Sequence, residues 1–115
     1  MYYVSGIGWK NPNLPRYNIK YATSKDGLHW IRKGNIAIDF KNKFENALAR
    51  PFVIKDKNKF KMWFSSKGHS YKLSYAESSD GKNWHRIEKN IGIGKSQNKN
   101  EFDSDMIEYS SVIKY

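Results

Sequence analysis

The chain contains no cysteine, which excludes disulfide frameworks and thiolate metal sites. No stretch approaches the ~20 apolar residues that a helix needs to cross a bilayer. The opening residues, MYYVSGIGWK, lack the basic segment followed by an apolar run that marks a signal peptide. The expectation is a soluble chain, cytoplasmic by default, with no membrane partner. Arginine is scarce: four residues stand against 17 lysines, beside eleven asparagines. The planar guanidinium is the side chain best matched to phosphate. A net charge of +10 carried mainly by lysine therefore reads first as solvated turns and strand edges that discourage aggregation. Lys41, Lys43, Lys55, Lys57, Lys59 and Lys61 sit at such places. Nucleic-acid binding through this surface is a secondary reading. Helical periodicity is weak throughout.

Aromatic side chains, at 16% of the 115 residues, are plentiful, and that suits thin sheets better than a thick helical core. Alternation of period two predicts strands over most of the chain. Residues 17–33, YNIKYATSKDGLHWIRK, recur 54 positions later as residues 71–87, YKLSYAESSDGKNWHRI, with eight identities. These are Tyr17/Tyr71, Tyr21/Tyr75, Ala22/Ala76, Ser24/Ser78, Asp26/Asp80, Gly27/Gly81, Trp30/Trp84 and Arg32/Arg86. Such a repeat of alternating residues is the mark of a β-propeller blade or a similar β-array.

Strands are predicted at 1–5, 17–23 and from Trp30 onward, with a loop over 6–16 because of Gly6, Gly8, Pro12 and Pro15. A complete four-stranded unit follows over 45–90: ALARPFVIK at 47–55, FKMWFSS at 60–66, then 71–77 and Trp84–Ile87. Residues 106–114, MIEYSSVIK, resemble ALARPFVIK when Val53 is set against Val112, which also aligns Leu48 with Ile107 and Ala49 with Glu108. The opening MYYVS resembles MWFSS at Met62–Ser66. With strands lettered A to D outward from an axis, residues 1–40 supply B to D of one blade and 45–90 a whole blade. Residues 103–115 then supply strand A of the next.

Both copies of the C–D hairpin read Ser-x-Asp-Gly-x-x-Trp. Asp can accept backbone hydrogen bonds of its own turn, Gly supplies a positive φ, and Trp folds back as an apolar plug. This corner, the Tyr-x-Ile/Leu-x-Tyr-Ala strand before it, and the two inner strands together resemble the five-bladed β-propeller glycosidases. Glycoside hydrolase families 43, 32 and 68 are the look-alikes, and the resemblance covers essentially the whole chain. It implies an all-β fold and carbohydrate as the partner, with glycosyl hydrolysis or transfer by acids projecting from innermost strands into a central funnel. No cofactor and no metal are implied.

Under this resemblance the base-bearing strand of the first blade lies upstream, so the chain alone is expected to be inactive. Glu108 matches the general acid, although an edge residue reaching solvent is an equal reading. Glu45 is a weaker catalytic candidate. Arg50, Asn46 and Asp105 are candidate substrate-binding residues. The Arg-Asp-Pro signature of some relatives appears here as Ala49-Arg50-Pro51, which leaves the auxiliary acid without a residue. Glu101, Asp103 and Asp105 are spaced unlike any calcium loop. Two rivals remain: a non-catalytic carbohydrate-binding module, and a homo-oligomer in which one copy's last strand completes the next copy's first blade.

Overall fold

The computed structural model describes residues 1–88 and 91–115; Lys89 and Asn90, which end the expected complete unit, lie outside them. The chain is all-β, with no helix among the described residues. Seven strands form: β1 (Tyr2–Asn11), β2 (Leu14–Tyr21), β3 (Ile36–Ile38), β4 (Ala47–Asp56), β5 (Lys59–Lys67), β6 (Tyr71–Ser78) and β7 (His85–Ile87). β1, β2 and β3 make one antiparallel meander and β4 to β7 a second. A single parallel pair, Tyr17 opposite Ala47, joins them into one open sheet.

The sequence repeat is also a repeat of register. Tyr2, Tyr3 and Val4 of β1 face Tyr21, Lys20 and Ile19 of β2. Trp63, Phe64 and Ser65 of β5 face Tyr75, Ser74 and Leu73 of β6, the positions 54 residues on. The isolated pair Thr23–Ile31 likewise reproduces Glu77–His85. In the first copy the chain then leaves the ladder, turns at Gly34 (φ 74°) and returns as β3 opposite Ile19 and Lys20.

Two expectations change. Residues 6–16, expected as a loop, are mostly the ends of a long hairpin in which β1 runs to Asn11 and β2 starts at Leu14. Pro12 suits the second position of the tight turn. Bulges between Gly6 and Gly8 and between Trp9 and Asn11 absorb the irregularity. Pro15 lies opposite Trp9, where β2 has no ladder partner on its other side. Residues 106–114, expected as a strand, form none. Strand backbone is defined by a partner, and this segment is held instead by isolated bonds such as Ile107 N–H to the Tyr71 carbonyl at 3.4 Å.

The two corners are built alike. The Ser24 hydroxyl donates to Asp26 at 2.9 Å and accepts from Gly27 N–H at 2.9 Å. Ser78 does the same with Asp80 at 3.0 Å and Gly81 at 2.9 Å. Asp26 Oδ1 accepts the N–H groups of Leu28 and His29, and Asp80 Oδ1 those of Lys82 and Asn83. These bonds favour the charged carboxylate and hold both groups well below the usual range. At Asp26 the His29 ring, 2.6 Å away, contributes first, and at Asp80 the Asn83 backbone does.

The copies diverge at one bond. Trp30 Nε1 donates to the Gly27 carbonyl at 3.1 Å. The equivalent Gly81 carbonyl is taken by the Tyr2 hydroxyl of the other meander, at 2.6 Å. Tyr2 also packs edge-on against Trp84, ring centroids 5.4 Å apart. The core is therefore shared: Ile19, Ala37 and Ile38 of the first meander join Leu48, Met62, Phe64 and Ala76 of the second. A sheet has to bury its apolar face against some other packed element, and side chains of both meanders share this core.

Gly81 carries two constraints, a φ of 70° and the Tyr2 Oη, which would lie 2.9 Å from an added Cβ. Gly27 has φ 78° and open space around it. Gly81→Ala is expected to cost ~2–3 kcal/mol and Gly27→Ala ~1 kcal/mol, compared by chemical denaturation. Equal costs would show that the Tyr2 seat contributes nothing.

Candidate functional site

β4 breaks its register between Ala49 and Phe52, and at the break Arg50 adopts φ 50°. Residues other than glycine seldom take this conformation, at ~1–3 kcal/mol, and they gather at functional sites. The sequence alignment of 47–55 with 106–114 sets Arg50 against Tyr109. Tyr109 has φ 60°. Equivalent residues in successive segments thus carry the same unusual backbone, although only one of the segments is a strand. They also touch: the Arg50 guanidinium lies 5.5 Å from the centre of the Tyr109 ring.

Residues around this contact come from several elements. Tyr109 N–H donates to the buried Ser65 hydroxyl of β5 at 2.8 Å. The Tyr109 and Tyr71 rings pack with centroids 6.0 Å apart, and Lys67 Nζ lies 5.0 Å from the centre of the Tyr71 ring. Burial first, then Tyr109, Tyr17 and Glu108 nearby, push the Tyr71 phenol up to about 12. It is a hydrogen-bond donor at any physiological pH. Arg50 also borders a cleft of about 400 Å³ with Tyr2, Val4, Phe52, Ser110 and Ser111.

Glu108, the residue before Tyr109, is half-buried. Its Oε2 is buried without a hydrogen-bond partner among the described residues, as are Ser110 Oγ and Asn46 Oδ1. Asn18 Oδ1, Trp84 Nε1 and Asp103 Oδ1 are in the same state elsewhere. What sets Glu108, Ser110 and Asn46 apart is that they gather near one contact, where a single partner could serve several buried polar atoms. Asn46 is tied in by its backbone, donating to the Lys67 carbonyl at 2.8 Å, and by its amide, donating to the Gly68 carbonyl at 3.2 Å. Glu108, Arg50 and Asn46 therefore sit along the seam made by β4, the end of β5, the start of β6 and the final segment.

The other two expected site residues are placed differently. Asp105 is exposed, and its carbonyl accepts from Lys95 Nζ at 3.0 Å. Glu45 is committed to the fold. Arg86 grips both of its oxygens, at 2.7 and 2.9 Å, and Lys41 N–H bonds Oε2 at 2.7 Å. The guanidinium lies over Phe64, 5.2 Å from the ring centre, and so braces β7 across β5 to the lead-in of β4. Tyr71, Lys67 and Tyr109 belong to the site but were not legible as candidates. Tyr71 is a repeat residue, which reads as structural, and Tyr109 gains its place only through backbone geometry.

Asp56 latches the final segment to the β4–β5 turn. Lys114 and Lys61 reach its two oxygens at 2.5 and 2.7 Å, Lys114 foremost, and lower its pKa from 3.8 to about 2. A depressed folded-state value means the latch is fully present above pH ~4 and is lost as pH falls towards 2. The Asp56 carboxyl, followed by NMR, is expected to titrate near 2. Lys114→Met is expected to move it towards 3.8 and to release the amides of 110–115. A wild-type midpoint near 3.8 would dismiss the latch.

No family model matches the sequence, and no solved structure matches it. Uncharacterized proteins from two strains of Mycobacterium tuberculosis, H37Rv and CDC 1551, are each 37% identical to it over 117 residues. The match takes in 100% of this chain and 38% of each relative. The chain is similar to a segment of a longer protein and spans under two-fifths of the curated relatives it matches.

Proposed function

We propose that the two meanders are consecutive blades of a five-bladed, glycosidase-like β-propeller, and that the chain handles carbohydrate at the seam around Glu108. The observation that carries this reading is the recurrence of a left-handed residue at Arg50 and Tyr109. In a propeller both belong to innermost strands, whose bulges turn side chains towards the axis. The residue before each is Ala49 in one copy and Glu108 in the other, so the repeat does not require a carboxylate there. A side chain that departs from the repeat, with an unpartnered oxygen, is free for chemistry. The repeated register of β1/β2 and β5/β6 supports the blade assignment. The greater length of the relatives leaves room for further blades.

Glycosyl transfer to water or another acceptor needs a carboxyl that protonates the leaving oxygen and a second carboxylate that attacks or activates the acceptor. Glu108 takes the first role. Tyr71, protonated throughout the physiological range, donates to a sugar hydroxyl, and the Tyr71–Tyr109 pair lines the ring's apolar face. The second carboxylate belongs to other blades of the whole protein.

The test is titration of the chain with a panel of oligosaccharides, followed by NMR of the tyrosine side chains. Binding is expected to perturb Tyr71 and Tyr109. Glu108→Ala is expected to weaken it tenfold or more, the scale set by a lost hydrogen bond to a charged group of ~1.5–3 kcal/mol. Absence of any saccharide binding, or binding that ignores Glu108→Ala, would overturn the reading.

A further inference from the structure

Charge at the seam is unbalanced. Glu108 is its carboxylate, while two cations hold on to the tyrosine pair: Arg50 over Tyr109 and Lys67 over Tyr71. Neither cation is in an ion pair among the described residues. Unpaired lysines are unavoidable in a chain with 21 basic and 11 acidic residues, so Lys67 alone would mean little. Arg50 means more. It is one of four arginines, and its backbone is held at φ 50°, a conformation that Asn or Gly would adopt more readily. Arg86 shows what the chain does with an arginine needed for stability: it closes a bidentate pair with Glu45. Arg50 instead presents its fork beside a cleft, steadied by the ring beneath it.

We infer that the saccharide taken at this seam is acidic, a uronic-acid unit whose carboxylate is received by Arg50 and Lys67. This rests on the carbohydrate reading above and adds the substrate class. A guanidinium receives a carboxylate through two parallel N–H···O bonds, which fixes the orientation of the sugar ring as well as its affinity. Lys67, 5.0 Å from the centre of the Tyr71 ring, adds a point charge on a flexible stem. In this reading Arg50 receives the carboxylate, Lys67 adds electrostatic attraction, and Glu108 is left for the glycosidic oxygen.

The deciding experiment compares uronate oligosaccharides (glucuronate, galacturonate and mannuronate) with their methyl esters, which keep the ring and remove the charge. Titrations use the full chain, with single-stranded RNA as a non-sugar polyanion. An acid form is expected to bind at least tenfold tighter than its ester in low salt, and the preference is expected to shrink as salt rises. Arg50→Gln and Lys67→Gln are expected to cut acid binding about fivefold to tenfold and to cut ester binding clearly less, so that the acid-over-ester preference collapses. Arg50→Lys is expected to recover part of the loss, and Glu108→Ala to weaken both ligands. Denaturation curves identify any variant that has simply lost its fold. Equal binding of acid and ester would overturn the acidic-sugar inference and leave the carbohydrate reading standing. No binding of either would overturn the acidic-sugar inference, and no binding of the neutral oligosaccharides titrated beside them would overturn the carbohydrate reading as well. Binding of RNA alone, with the same dependence on Arg50 and Lys67, would also overturn both and make the seam a nucleic-acid contact.

Discussion

The carboxylate that closes each corner is the constraint from which the rest of the structure follows. Asp26 and Asp80 each gather two backbone N–H groups and a serine hydroxyl, so the chain has little choice in how it reverses. A fixed reversal fixes hairpin register, and register decides which face of each strand is apolar. That fits the burial of Ala22 and Ala76, equivalent residues leading into the two corners, at 2% and 0% exposure. With the corner in place, its glycine carbonyl becomes a docking point. Tyr2 uses it at Gly81, and one meander is thereby seated on the other.

Strain at Arg50 and Tyr109 has to be offset by their surroundings, and the two cases differ. Arg50 lies inside β4, whose ladder to β5 resumes on both sides of the bulge. Tyr109 has no ladder and relies on Ser65, Tyr71 and, five residues further along, the Asp56–Lys114 latch. The Ser65 hydroxyl is completely buried, so its bond to Tyr109 N–H is shielded from water and correspondingly firm. A serine in the middle of an apolar strand is therefore explained by the segment it anchors.

Much of the fold was legible, because turn chemistry and alternation are local. Asp-Gly corners, the four strands of the second unit and the pairing of Tyr2 with Trp63 as equivalents all come from short stretches of sequence. The 6–16 hairpin was hidden because Pro12, Pro15 and two glycines signal loop, yet each is tolerated at a turn, an edge or a bulge. The Glu45–Arg86 pair was hidden by its 41-residue separation. Arg50, Asn46 and Glu108 were visible as chemistry-bearing residues on segments that resemble each other. Their shared seam, and the tyrosines that complete it, depend on positive φ values that residue type argues against.

The seam is drawn from the second meander and the segment that follows it: its arginine comes from β4, its lysine and tyrosine from β5 and β6, and its carboxylate from the segment beyond β7. That last segment docks through one backbone bond to Tyr71, one to Ser65 and the Lys114 latch. The candidate site lies where one repeat hands over to the next, and it uses one repeat residue, Tyr71, beside residues outside the repeat. In a repetitive fold, residues shared by both copies fix the corners, and positions that differ between copies, such as Ala49 and Glu108, are released from that demand. Glu108 stands where its counterpart is alanine, so the repeat itself makes no demand for a carboxylate there.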